Sequence, residues 1–126
     1  MARRIGVEHT PMPFNRATRY ALAAAIGLVI GLSAIAFAIF IAAAGHGSYV
    51  PAVIFFPLTM LSTLWTSDAV TVPAMILAVV QYPAYGMALV RGKEAGTRAR
   101  VALVIAAAHG VLVCAVFAFL QGGGFF

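Results

Sequence analysis

Charge is scarce in this chain. Of its 126 residues only 9% are Asp, Glu, Lys or Arg, and only 3 are acidic. An ordinary soluble domain carries about 25% charged residues. A small soluble fold leaves much of its surface in water, so it cannot hide a composition that is 63% hydrophobic with a mean hydropathy of +1.04. That excludes a water-soluble domain and points to lipid. Cysteine is limited to Cys114, which excludes an intramolecular disulfide. Its apolar run offers no cation to lower the thiol pKa, so it reads as a small packing residue. No CxxC or HxxxH spacing is present, and no metal site is expected. Asp68 and Glu94 fall in loops, and no Ser/His/Asp or Cys/His constellation appears, so an enzyme is not expected.

Cations outnumber anions, and the net charge is +5. They do not coat a face, as nucleic-acid binding would require. They form two clusters, Arg3, Arg4, Arg16 and Arg19, then Arg91, Lys93, Arg98 and Arg100. Both flank apolar spans, where cations meet lipid phosphates. The bilayer is the expected partner, and nucleic acid is not.

Apolar runs organise the rest. Residues 1–17 are polar and broken by Pro11 and Pro13. A four-helix transmembrane domain follows over 18–121, with spans at about 18–44, 49–65, 70–90 and 101–121, and a tail at 122–126. The first run is too long for the apolar region of a signal peptide. Gly45-His46-Gly47-Ser48-Tyr49 reads as a polar turn, with Pro51 suited to the next helix start. Tyr49 and Trp65 read as interfacial anchors. Ser67 or Asp68 is the expected cap of the third helix. The loop 91–100 carries the second basic cluster. The expected fold is an all-α integral membrane protein, a bundle of four transmembrane helices joined by short loops. The expected location is multi-pass, in the inner membrane of a bacterial cell.

Small residues recur at helical spacing. Gly27 and Gly31 form a GxxxG, and Ala102, Ala106, Gly110, Cys114 and Ala118 recur every four residues. Such stripes let helix backbones approach closely. Gly27, Gly31, Ala106 and Gly110 are therefore the expected helix-packing positions. Thr59, Ser62, Thr63 and Thr66 share one face of the second span, and Ala74, Ala78, Gln81, Tyr85 and Ala88 one face of the third. Polar side chains in lipid gain by facing the bundle interior.

His109 is the one ionisable group near the middle of a span, and Gln81 lies near the middle of the preceding one. Adjacent antiparallel helices bring equal depths together, so the two can hydrogen-bond. The candidate intramembrane polar site is His109, Gln81, Tyr85 and Thr59. A neutral histidine bonded to Gln81, Tyr82, Tyr85 or a freed carbonyl is favoured over a proton relay, since no carboxylate accompanies it. Pro57 and Pro83 sit mid-span and disturb the carbonyls of Val53 and Val79. His46 and Tyr49 form a second candidate at the interface, short of the further ligands that a metal needs. His46 is interfacial and His109 central, which is a poor arrangement for a bis-histidine haem, and no cofactor is assigned.

Four spans put both termini on one side, with four Lys and Arg on each side of the membrane. The positive-inside rule then gives no orientation. Three topologies compete. In dual topology, copies insert both ways. The small multidrug-resistance transporters and the small fluoride channels resemble this chain in size and charge balance. The intramembrane glutamate of the former and the polar signature of the latter are absent, so no residue carries over. In the second, both basic clusters share a side, and the short segment bearing Pro51 and Pro57 is re-entrant. In the third, four full spans keep a fixed orientation beside a partner. The third is favoured. The expected function is an accessory, structural or assembly subunit of a larger membrane complex; the alternative is a small homo-oligomeric channel or transporter.

Overall fold

The computed structural model describes residues 14–46, 49–64, 66 and 70–122. Among these the fold is entirely helical. Helix α1 runs Arg16–Ile41 and closes in a π-helical turn, Ala42–His46; α2 is Val50–Phe55, α3 Pro57–Thr63, α4 Val72–Glu94 and α5 Arg98–Gly122. Three segments are long and apolar enough to cross a membrane: Arg16–Ala44, Val72–Glu94 and Arg98–Gly122. At 1.5 Å per residue, α4 alone extends about 35 Å, past a hydrocarbon core of about 30 Å.

The helix boundaries follow local chemistry. Asn15 caps α1 by accepting from the Thr18 N–H at 2.8 Å. The cap of α4 is Thr71, whose hydroxyl accepts from the Ala74 N–H at 3.4 Å. This replaces Ser67 or Asp68, which lie outside the described residues. Val72 and Pro73 open the helix, where a missing N–H costs nothing. The expected ten-residue basic loop contracts to Ala95, Gly96 and Thr97. Gly96 has φ +68°, and the N–H groups of Gly96 and Thr97 bond back to Lys93 and Gly92. That is a Schellman closure, in which glycine takes the left-handed position. The expected turn at Gly45 and His46 is instead the last turn of the first long helix, while Gly47 and Ser48 lie outside the described residues. Trp65 lies outside them too.

The second apolar segment departs from the expected full span at 49–65. It consists of helices of 6 and 7 residues broken at Phe56, with φ −132° and ψ 55°. Pro57 causes the break, since it cannot donate to the Val53 carbonyl and its ring crowds that oxygen.

Antiparallel packing fixes the course of the chain. Glu94, at the end of α4, pairs with Arg16 and Arg19 at the start of α1, at 3.1 and 3.3 Å. Tyr20 donates to the same carboxylate at 3.2 Å. Helices α1 and α4 form the most extensive interface, and α5 packs on the other flank of α4 without touching α1. The start of α1, the end of α4 and the start of α5 therefore share one end of the bundle. The end of α1 and the start of α4 share the other. The chain between α1 and α4 therefore starts and finishes at that second end, so α2 and α3 do not carry it across. Arg16, Arg19, Arg91, Lys93, Arg98 and Arg100 all fall at the first end, and no Lys or Arg of the described residues falls at the second.

Close approach of α1 and α4 rests on glycine. A Cβ on Gly27 would lie 2.5 Å from the Tyr82 oxygen and 2.7 Å from the Pro83 nitrogen, and one on Gly86 would lie 2.6 Å from the Ala23 oxygen. Backbone touches backbone, which only a missing side chain permits.

Candidate functional site

The break between α2 and α3 organises the polar groups of the molecule. A helix interruption leaves backbone carbonyls without their usual N–H partners, and a buried carbonyl needs a donor. Side chains from the two neighbouring helices supply them. Gln81 donates through Nε2 to the Phe55 oxygen at 3.1 Å, and the Tyr82 hydroxyl donates to the same oxygen at 3.2 Å. His109 reaches the Ile54 oxygen through Nε2 at 2.7 Å. A carbonyl only accepts, so Nε2 carries the proton. Nδ1 is then free to accept from the Tyr85 hydroxyl, 3.3 Å away. One neutral tautomer satisfies both contacts.

Gln81, Tyr82 and His109 lie near the middle of α4 and α5. The break therefore sits at the mid-height of the bundle. Aromatic contacts tie the same elements together. Edge-to-face pairs run from Phe37 to Phe55, Phe56, Tyr82, Tyr85 and His109 in unbroken succession, at centroid separations of 5.7–6.5 Å. Each such pair contributes about 0.5–1.5 kcal/mol beyond area burial in soluble proteins.

The predicted site residues are thus largely brought together; of the partners considered for His109, Tyr85 and a freed carbonyl are the ones it meets. His109 and Gln81 do not bond to each other; each holds a separate carbonyl of the break. Tyr85 orients His109. Thr59 is buried one turn beyond the break, and its Oγ1 finds no hydrogen-bond partner among the described residues. Gln81 Oε1 is likewise buried without one. Two unmet polar atoms therefore remain near the break, each costing about 1–3 kcal/mol if left dry. Tyr82, considered in the sequence only as a partner of His109, belongs to the site through the Phe55 carbonyl instead. Its position beside Gln81 and one residue before Pro83 was visible, but the accepting carbonyl two helices away was not.

The packing residues divide. Gly27 and Gly31 are buried against Tyr82. Ala106 and Gly110 are exposed, and a Cβ on Gly110 would meet nothing within 4 Å. The whole stripe Ala102, Ala106, Gly110, Cys114 and Ala118 faces outward. The expectation that it packs inside the bundle is corrected: α5 turns Val116 inward and buries no other residue. Ala102, Ala106 and Gly110 of the stripe line one wall of a shallow cavity of about 450 Å³, whose other walls are Tyr82, Tyr85 and Leu89 of α4 with Ile105 and His109.

His46 lies in the π-helical turn, and Tyr49 is 66% exposed before α2 without capping it. Among the described residues no three His, Cys, Asp or Glu side chains converge. The central cluster can donate and accept hydrogen bonds and can hold a broken helix in place. No protein-family model matches this chain, and it matches no curated protein and no solved structure.

Proposed function

We propose that this chain is a small polytopic membrane protein acting as an accessory or assembly subunit of a larger membrane complex. In this reading it crosses the bilayer three times, and α2 and α3 form a re-entrant pair of half-helices entered and left from one side. The charge distribution supports that topology. With α1, α4 and α5 spanning, the described cations gather on one side, and Arg3 and Arg4 precede α1 in the chain. That is the pattern of the positive-inside rule, with the basic end cytoplasmic. The balance of four against four, which motivated dual topology, depended on 49–65 being a full span.

The observation that carries the functional reading is the outward face of α5. Small residues are useful to a membrane helix where another helix approaches, because they let dispersion contacts and backbones close in. Here that face is exposed among the described residues, with no helix of the chain packed against it there. The polar cluster, by contrast, is mostly consumed in holding the break, which suits a scaffold.

Photo-crosslinking in native membranes tests this. A crosslinker placed at Ala106 is expected to give a discrete adduct with a different membrane protein. One at Val104, on another face of α5, is expected to give lipid adducts alone. Adducts of the chain with itself at Ala106 would replace the accessory reading with a homo-oligomer. A second reading, a small channel or transporter, draws support from the unmatched Thr59 and Gln81 oxygens beside a broken helix. Such irregular backbone at depth is tolerated where protein buries it or water lines it. A solute flux in proteoliposomes that is lost in Gln81→Leu would favour it.

A further inference from the structure

A groove of about 580 Å³ runs between α1 and α4, with Arg98 of α5 at its mouth. Its walls change character along its length. At the basic end it is lined by Arg19, Lys93 and Arg98; further along it is lined by Leu22, Ile26 and Leu89; it ends at mid-height on Gly27, Ile30 and Tyr82. From Arg19 to Ile30 the groove covers about 16 Å of helix, close to half of a hydrocarbon core of about 30 Å.

The electrostatics at the mouth are unbalanced. Glu94 is the one carboxylate among the described residues, and Arg16 and Arg19 already share it. Lys93 and Arg98 form no ion pair within the described residues. A cationic mouth opening into an apolar slot one leaflet deep is complementary to an anion carrying a hydrocarbon chain. We propose that this groove binds an anionic phospholipid. Its phosphate lies among Arg19, Lys93 and Arg98, and one acyl chain lies along Leu22 and Ile26 toward Tyr82. A neutral amphiphile would leave the cations unmet. In sequence, residues 1–13 carry Arg3 and Arg4 against the single Glu8, a net charge that does not complement a cationic mouth.

This inference rests on the bilayer reading above but not on any association through α5. Its test therefore uses the whole chain in mild non-ionic detergent. Native mass spectrometry counts retained lipid when phosphatidylglycerol or phosphatidylcholine is titrated. One phosphatidylglycerol per chain is expected, retained at least tenfold more tightly than phosphatidylcholine. Arg19→Gln, Lys93→Gln and Arg98→Gln should each weaken retention about fivefold, and the triple change about a hundredfold. Arg91→Gln and Arg100→Gln, at the same end but outside the groove, should leave it unchanged. Ile26→Trp keeps every cation and fills the slot, and should abolish retention with helical content intact by circular dichroism. Inorganic phosphate at equal concentration should not displace the lipid. Equal retention of phosphatidylcholine, equal loss in the Arg91 and Arg100 variants, or displacement by inorganic phosphate would each overturn the proposal. A chain that stays dispersed without detergent would instead overturn the bilayer reading beneath it.

Discussion

Replacing Gly27 with alanine adds one methyl group where α1 rests on α4. Its Cβ would sit 2.5 Å from the Tyr82 oxygen, 2.7 Å from the Tyr82 carbon and 2.7 Å from the Pro83 nitrogen. Ordinary contact begins near 3.4 Å, so the helices must part by up to roughly 0.9 Å. Both sides of the clash are backbone and cannot rotate away. Overpacking of this kind costs about 1–3 kcal/mol, offset in part by alanine's helix preference of about 1 kcal/mol over glycine. A net loss of up to about 2 kcal/mol is expected. Gly31→Ala meets the Tyr82 ring at 3.3 Å, which can give slightly, and should cost less. Gly110→Ala meets open space and should be neutral or gain up to about 1 kcal/mol from the same helix preference. Thermal or denaturant titration in one detergent ranks the three. Gly27→Ala proving as stable as Gly110→Ala would refute the backbone contact between α1 and α4.

Other consequences can be checked in the same preparation. His109→Leu removes the donor to Ile54 and the acceptor of Tyr85, and should cost about 0.6–2 kcal/mol; His109→Gln, which still donates, should cost less than half as much. Equal loss in both would show that the imidazole acts by shape and not by hydrogen bonding. Gly110→Leu should leave the stability of the isolated chain unchanged while removing the Ala106 crosslink; an isolated chain destabilised as much as Gly27→Ala would mean that α5 packs inward after all.

The long helices were legible because composition and period alone define them. Gly27 and Gly31 were legible for the same reason, since a GxxxG specifies close approach without naming the partner. The stripe on α5 was equally visible, yet spacing cannot tell an internal seam from an outer face. Only the inward turn of Val116 decides that. The site residues His109, Gln81 and Tyr85 were found by depth, because mid-span polar groups must find partners. Tyr85 and a freed carbonyl were among the partners expected for His109; which carbonyl, and the partner of Gln81, were not legible, because both depend on where the Pro57 break falls. Pro57 pointed at Val53, whereas the bonds are made by the next two carbonyls, of Ile54 and Phe55. The segment 49–65 was read as a span from length and its terminal aromatics. Breaking it at Phe56 halves its reach, and the Glu94 contacts with Arg16 and Arg19 then set the course of the whole chain.

That course is the central claim, and the side on which the N-terminus lies tests it most directly. In a Cys114→Ala background, single cysteines at Ala2, Ala95 and Gly123 are labelled by an impermeant maleimide from one face of sealed vesicles. Three spans with a re-entrant segment predict that Ala2→Cys and Ala95→Cys react together, from the face opposite to Gly123→Cys. Four full spans predict that Ala2→Cys and Gly123→Cys react together, with Ala95→Cys on the other face, and that result would contradict the account.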